Sequence, residues 1–421
     1  CRMFSGTLSR TEFKTLLSNS TSLTLIQITN IIFPLLTVPY LLRILPPVKF
    51  GLIVFAGSLI QYFLVITDFG FNFTATREVS LHREEPDHLS RVFFSVFLIK
   101  LLLTGGCLLV LGSILLLFEK LGADWPVFLL SFGSVLAGVL MPVWLFQGQE
   151  RMSFMTIFDF GGKLVYLLSL FVFVRQASDY LMVPLLLSMT GLGASLTAFS
   201  FAIRRFRISF SFDRALTIRL FRDSFQFFFS RIAVTFYTIS NTIIIGALFP
   251  LGLVAYYALA EKIAAVLRSP FDILNTVLYP FMVRTRRIGF LRKFLLLSWV
   301  ASIVLYVGIY LGAPFMIRII GGEEYLASST PILRILALAI ICVSLHLFLG
   351  SSVLVASGQE KLFNKSTLYG CLVYILCVAS MTLLGWVDLA TLAAITVGVD
   401  LFILVYRAGW VLRLNLMKDE M

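Results

Sequence analysis

Residues Phe93 to Phe118 read F-F-S-V-F-L-I-K-L-L-L-T-G-G-C-L-L-V-L-G-S-I-L-L-L-F, with Lys100 the one charge in the run. Crossing ~30 Å of hydrocarbon takes about 20 residues of helix, and this stretch has both that length and that apolarity. In lipid a backbone amide finds no water, so such a span is an α-helix whose hydrogen bonds close within itself. Runs of the same kind recur along the 421-residue chain. Twelve spans are expected, near 22–45, 51–75, 93–118, 127–147, 154–174, 180–203, 224–248, 253–283, 294–320, 331–355, 367–386 and 389–412. The connections are short, and none could hold a separate soluble domain. The weaker ten-residue alternation of a membrane barrel is absent. The fold class is therefore an all-α polytopic membrane protein.

Composition points the same way. The chain is 59% hydrophobic and 13% charged, against roughly 25% charge in a soluble domain. Its net charge of +12 would raise nucleic acid as a partner for a soluble protein. Here the basic residues lie between spans, where they act as topology signals, and no nucleic-acid partner is expected. Cys107, Cys342, Cys371 and Cys377 fall inside apolar runs and read as buried structural thiols. Neither a disulfide framework nor metal-ligand spacing is present. The chain opens on Cys1 rather than methionine, so its true start is expected either upstream or at Met3, and no cleavable signal is expected before the first span.

Lysine and arginine set the expected orientation. The odd-numbered segments between spans, counting the N-terminal tail first, carry 22 of them, concentrated in 204–223 and 284–293. The other set carries three, Lys49, Lys120 and Arg175. That asymmetry puts both termini in the cytoplasm.

A weak internal repeat divides the spans into six plus six. Leu45 to Leu59 reads L-P-P-V-K-F-G-L-I-V-F-A-G-S-L, and Phe249 to Ile263 reads F-P-L-G-L-V-A-Y-Y-A-L-A-E-K-I. Aligned without a gap, Phe50 falls on Val254, Gly51 on Ala255, Phe55 on Leu259 and Ala56 on Ala260. The expected organisation is a six-helix lobe over 1–203, a basic cytoplasmic linker over 204–223 and a second six-helix lobe over 224–421. An even number of spans per half keeps the orientation. The lobes should then be parallel pseudo-symmetric repeats about an axis along the membrane normal, a transporter architecture.

Several stretches resemble the O-antigen and polysaccharide flippase family (Wzx-type), within the multidrug/oligosaccharidyl-lipid/polysaccharide exporter superfamily. They are P-L-L-T-V-P-Y-L-L-R-I-L (34–45), F-G-L-I-V-F-A (50–56), Q-Y-F-L-V-I-T-D-F-G-F-N-F-T-A-T-R-E-V-S (61–80) and P-V-W-L-F-Q-G-Q-E-R-M (142–152). A-Y-Y-A-L-A-E-K-I (255–263) and R-S-P-F (268–271) extend the likeness into the second half, and it thins after about residue 290. P-P-V-K-F at 46–50 departs from the family, whose members more often carry glycine after the leucine. The resemblance implies a protein of a bacterial inner membrane. It implies movement of an undecaprenyl-pyrophosphate-linked oligosaccharide from the cytoplasmic to the periplasmic leaflet by alternating access. Membrane lipids, a polysaccharide polymerase and chain-length machinery are the implied partners. A multidrug or cation antiporter of the same superfamily is the alternative, and a membrane-embedded glycan polymerase or acyltransferase the third.

Charged groups inside the membrane narrow the search, since each costs roughly 2.5–3.5 kcal/mol at mid-span. Span 8 holds Glu261, Lys262, Arg268 and Asp272, with Glu261, Arg268, Asp272 and Asn275 on one helical face. Two readings are open. One is a wall of a hydrated cavity between the lobes, the other a self-neutralising pair of Arg268 and Asp272 at i,i+4. Glu261 has no opposite charge at i+3 or i+4, which favours the cavity. Pro270 should kink this span. Arg268, Lys262, Glu261, Arg231, Asn241 and Asn30 are the candidate substrate contacts, with arginine suited to bidentate contact with pyrophosphate. Glu261, Asp272 and Asp400 are candidates for coupling to a proton or ion gradient, and His346 lies near mid-membrane as well. Asp159 and Lys163, at i,i+4 in span 5, read as a buried pair. Asp68, Asn72 and Arg77, around D-F-G-F-N, sit near the cytoplasmic end of span 2 as gate or helix-end packing residues.

Other chemistry is missing. There is no G-x-x-x-x-G-K-[ST] loop to bind ATP phosphates, no D-x-D pair and no nucleophile–base constellation. His82 to Asp87 spells H-x-x-x-x-D, an acyltransferase-like pattern that chance supplies easily in a charged loop. No catalytic residue, metal or cofactor is expected.

Overall fold

The computed structural model describes residues 10–285 and 287–417. Cys1, Arg2, Met3, Arg286 and Lys418 lie outside them. Among the described residues the chain is helical, without a strand. It runs through α1 (Arg10–Ile44), α2 (Pro47–Asp68), α3 (Phe71–Leu81), α4 (Pro86–Leu117), the single turn α5 (Glu119–Gly122), α6 (Trp125–Leu140), α7 (Val143–Gly148) and α8 (Met152–Phe173). A 3-10 turn (Ala177–Leu181) leads into α9 (Met182–Arg205), α10 (Arg214–Leu248), α11 (Leu251–Thr285), α12 (Ile288–Gly321) and α13 (Glu323–Phe348). α13 passes into a π-helical turn (Leu349–Val355), followed by α14 (Glu360–Leu383) and α15 (Leu389–Arg413).

Eleven helical segments among the described residues are long and apolar enough to cross a membrane. α11 falls outside that set because of its charges, yet at 35 residues it has the length. The protein is a multi-pass α-helical membrane protein, as its hydropathy requires.

Two spans that read as continuous in sequence are broken. α2 stops at Asp68, Phe69 and Gly70 take the left-handed conformation with φ of 46° and 85°, and α3 resumes at Phe71. Gly70 is required there twice over. Its φ favours glycine, and a Cβ would lie 2.7 Å from Cβ of Phe227 and 3.1 Å from the carbonyl oxygen of Ser224. The second break falls at Met141 and Pro142, between α6 and α7. Proline has no N–H, so the carbonyl of Gly138, four residues earlier, loses its helix donor. The ammonium of Lys100 donates to that carbonyl at 3.2 Å. The single charge in the Phe93–Phe118 run is thereby accounted for. It is buried, 4% exposed, and serves a carbonyl that the break leaves open. By contrast, α11 runs unbroken through Pro270.

Contacts divide the chain into two compact units: 1–33 with 59–229, and 34–58 with 230–421. The hairpin between α1 and α2 thus packs with the later residues, and the first half of α10 with the earlier ones.

The first unit is built around an aromatic core that includes Phe69, Phe71, Phe93, Trp144 and Phe146. Phe69 stacks on Phe221 at 4.6 Å and on Phe228 at 4.8 Å, and Phe73 on Phe227 at 5.2 Å. The hydroxyls of Thr74 and Ser224 meet at 2.5 Å. The D-F-G-F-N stretch therefore grips the start of α10.

In the second unit α13 packs against α11, α12 and α15. The α1–α2 hairpin joins it at Gly51, whose missing side chain lets the Leu251 carbonyl approach, and at Phe55, whose ring lies on Gly246. The guanidinium of Arg43 donates to the carbonyl of Ile319 at 3.2 Å.

Candidate functional site

α11 carries its charges on a helix that would otherwise be apolar, and these side chains open onto a cavity of about 310 Å³ inside the second unit. Glu261, Lys262 and Arg268 line it from α11, Tyr237 from α10, and Thr396 and Asp400 from α15. Seven residues separate Glu261 from Arg268, almost two full turns, so both face the same way. Two cations and two carboxylates thus share one enclosure.

The hydroxyl of Thr242 lies beside the Glu261 carboxylate. Nε of Arg268 lies 3.6 Å from Oδ2 of Asp272, the i,i+4 pair that the sequence allows. Both side chains keep more than a third of their surface exposed, at 41% and 43%. The pair is therefore loose, and Arg268 also faces the cavity. Below it Asn275 accepts a hydrogen bond from Ser351, tying α11 to the π-helical turn.

Asp400 begins a buried polar chain. Its Oδ1 lies 3.4 Å from Nε2 of His346. The carbonyl of His346 accepts from Arg407 at 2.8 Å, and Nε of Arg407 donates to the hydroxyl of Ser366 at 2.9 Å. The guanidinium lies over the Phe363 ring, 4.4 Å from its centroid. His346, Asp400 and Arg407 are all buried. Arg407 is missing from the sequence-based candidates although a signal exists. It follows Asp400 by seven residues and so lies on the same face of α15.

The other expected residues lie elsewhere. Asn241 is buried at a helix junction. Its amide donates to Tyr257 at 2.6 Å and Thr396 at 2.7 Å, and its oxygen accepts from Tyr374 at 2.6 Å. Arg231 belongs to the second unit but does not line the cavity. Asn30 belongs to the first unit, where its oxygen accepts from Lys163 at 2.6 Å while Lys163 also pairs with Asp159 at 2.6 Å. Asp68 ends α2, and Asn72 and Arg77 lie on α3, with Arg77 exposed.

His82 does not form a catalytic pair with Asp87. Its ring stacks on His88 at 4.0 Å, and His88 lies 3.0 Å from Glu78. Glu78, His82 and His88 bring three metal-ligand atoms within 4.8 Å of one another. Glu78 already accepts from Arg219 at 2.6 Å, a cation that opposes a second one.

Comparison with known proteins adds the context. A model of the polysaccharide biosynthesis protein family matches residues 16–286. A protein of Escherichia coli (strain K12) described as an O-antigen transporter is 26% identical over 372 residues, covering 86% of this chain and 89% of its own. A counterpart from Shigella dysenteriae is 22% identical over 352 residues, covering 82% of this chain and 88% of its own. Among solved structures, a multidrug resistance MATE family transporter of the MOP superfamily, in an inward-facing conformation, superposes with a TM-score of 0.72 at 13% identity. That match covers 95% of this chain and 99% of the other. A MOP superfamily transporter from Pyrococcus furiosus, reported to have a binding pocket of reversed polarity, gives 0.63 at 14% identity over 96% of both chains. At these identities the likeness is one of fold.

Proposed function

The chain belongs to the polysaccharide biosynthesis protein family, and from that premise we propose that it is a flippase for lipid-linked oligosaccharide in a bacterial inner membrane. The observation that carries this reading is the similarity to O-antigen transporters over more than four-fifths of the chain. The substrate we infer is an undecaprenyl-pyrophosphate-linked repeat unit, moved from the cytoplasmic to the periplasmic leaflet. Its glycan cannot cross hydrocarbon unaided, because its hydroxyls would lose water without new partners. A transporter fold answers this by keeping the head group among polar side chains while the lipid tail stays in the bilayer.

In this reading Arg268 and Lys262 hold pyrophosphate, with arginine offering two parallel donors. Glu261 and Asp400 are the groups through which a proton or cation gradient acts, and Asp272 restrains Arg268 between cycles. The two lobes, 1–203 and 224–421, rock about the substrate path, with 204–223 joining them on the cytoplasmic side and both termini there as well. The protein acts as a transporter rather than an enzyme, passing its product to the polymerase and chain-length machinery.

Drug or cation antiport is the competing reading, since the superposed MATE structure has that fold. The cavity balances two cations against two carboxylates, so it is the similarity to O-antigen transporters, and not the cavity's charge, that favours the flippase. Complementation in a strain lacking the protein tests the choice. A flippase restores surface polysaccharide and clears lipid-linked oligosaccharide from the cytoplasmic leaflet. An antiporter restores drug resistance and leaves the polysaccharide absent.

A further inference from the structure

A second concave surface lies in the first unit. Between α8 and α9 runs a groove of two continuous parts, about 640 Å³ and 480 Å³, which share Phe158 and Thr197. One end is bounded by Arg204 and Arg205, both exposed and neither ion-paired among the described residues. The other end reaches Met189 and is floored by Gly161, Gly162 and Gly193. A Cβ placed on Gly161 or Gly193 would meet nothing within 4 Å, so the floor is open at those two positions, while one on Gly162 would lie 2.8 Å from Cβ of Ala194, where α8 and α9 pack closely. The polar pair Asp159 and Lys163 occupies the opposite face of α8.

We propose that this groove is where the lipid-linked substrate docks before transport: it holds the polyisoprenyl tail, with Arg204 and Arg205 holding the phosphate at the membrane surface until it passes to Arg268 and Lys262. The assignment rests on the flippase reading for its substrate and on three observations for its place. The walls are apolar from Met189 to Phe201 apart from threonine and serine hydroxyls, as a hydrocarbon chain requires. The mouth is dibasic, complementary to a phosphate that arginine grips in two places. The length discriminates between lipids. From Arg204 to Met189 along α9 is ~22 Å at 1.5 Å per residue, whereas one leaflet of a ~30 Å core is half that core. An ordinary acyl chain is matched to its leaflet, and a polyisoprenyl chain continues past the midplane.

The test uses the purified full chain in detergent, with undecaprenyl phosphate and phosphatidylglycerol as separate probes read by native mass spectrometry. Wild type should retain undecaprenyl phosphate in preference to phosphatidylglycerol. Gly193→Leu, which fills the groove without touching a neighbour's backbone, should weaken undecaprenyl phosphate by about tenfold or more, the equivalent of some two methylenes withheld from burial. Arg204→Ala combined with Arg205→Ala should weaken it comparably, and Gly193→Ala should change little. Equal retention of both lipids, or unchanged binding to Gly193→Leu at normal thermal stability, would overturn the proposal. Should Gly193→Leu itself unfold early, Gly161→Leu gives the same reading. Failure of the flippase reading is distinguishable, because undecaprenyl phosphate would then still occupy the groove in a protein that flips nothing.

Discussion

Gly51 of α2 and Ala255 of α11 lie against each other: a Cβ on Gly51 would sit 3.3 Å from the Ala255 nitrogen and overlap the Leu251 carbonyl. These are the residues that the Leu45 and Phe249 repeats align. The contact packs the two aligned segments directly on one another. Gly51→Val should force the two helices apart and cost roughly 1–3 kcal/mol, because the obstacle is backbone and cannot rotate away. Thermal unfolding in detergent reads this, with Gly57→Ala, where a Cβ meets nothing, as the unchanged control.

Asn241→Leu should lower stability rather than alter substrate choice. The substitution removes the partner that the hydroxyls of Tyr257 and Tyr374 share in a buried junction, while Thr396 keeps its bond to the Leu392 carbonyl. Each unsatisfied group costs about 1–3 kcal/mol, so a markedly lower melting temperature is expected. A variant that melts normally but transports a different glycan would assign Asn241 to the substrate instead.

Arg407→Met should destabilise by ~3–5 kcal/mol, the usual consequence of stripping one member from a buried charged network. Arg407→Lys should recover little, because one ammonium cannot reach both the His346 carbonyl and the Ser366 hydroxyl in the fork geometry of the guanidinium. Membrane abundance on a blot and melting in detergent read the outcome together.

Much of this was legible in sequence, and the gaps have physical causes. The spans follow from hydropathy, because lipid imposes one length and one backbone solution. The breaks at Phe69–Gly70 and Met141–Pro142 did not register, since an apolar window averages over a two-residue interruption. Their local signals, a glycine inside D-F-G and a proline inside the run, were present in the chain. The charges of α11 point to a cavity between the lobes, whereas Glu261, Lys262 and Arg268 line, with Asp400, a cavity inside the second unit. The Asp400–His346–Arg407 chain was half seen. His346 sits on a different helix, and only folding brings it between the other two. The assignment of 34–58 to the second unit was not legible, because it depends on contacts between residues some two hundred positions apart.

Topology is tested by cysteine substitution between 204 and 223. These positions should react with a membrane-permeant maleimide and resist an impermeant one in whole cells. Labelling from outside would reverse the orientation that the basic residues predict.

Reconstituted transport tests the central claim most directly. Proteoliposomes carrying the purified protein and a fluorescent undecaprenyl-pyrophosphate-linked oligosaccharide report head groups reaching the outer leaflet by their accessibility to a membrane-impermeant quencher. Wild type should equilibrate the probe far faster than empty liposomes. Arg268→Ala should lose most of that rate at normal abundance, and Arg268→Ala with Asp272→Ala should not regain it. Restoration in the double variant would make Arg268 a structural partner of Asp272. A wild-type rate equal to that of empty liposomes, under every imposed ion gradient, would contradict the flippase itself.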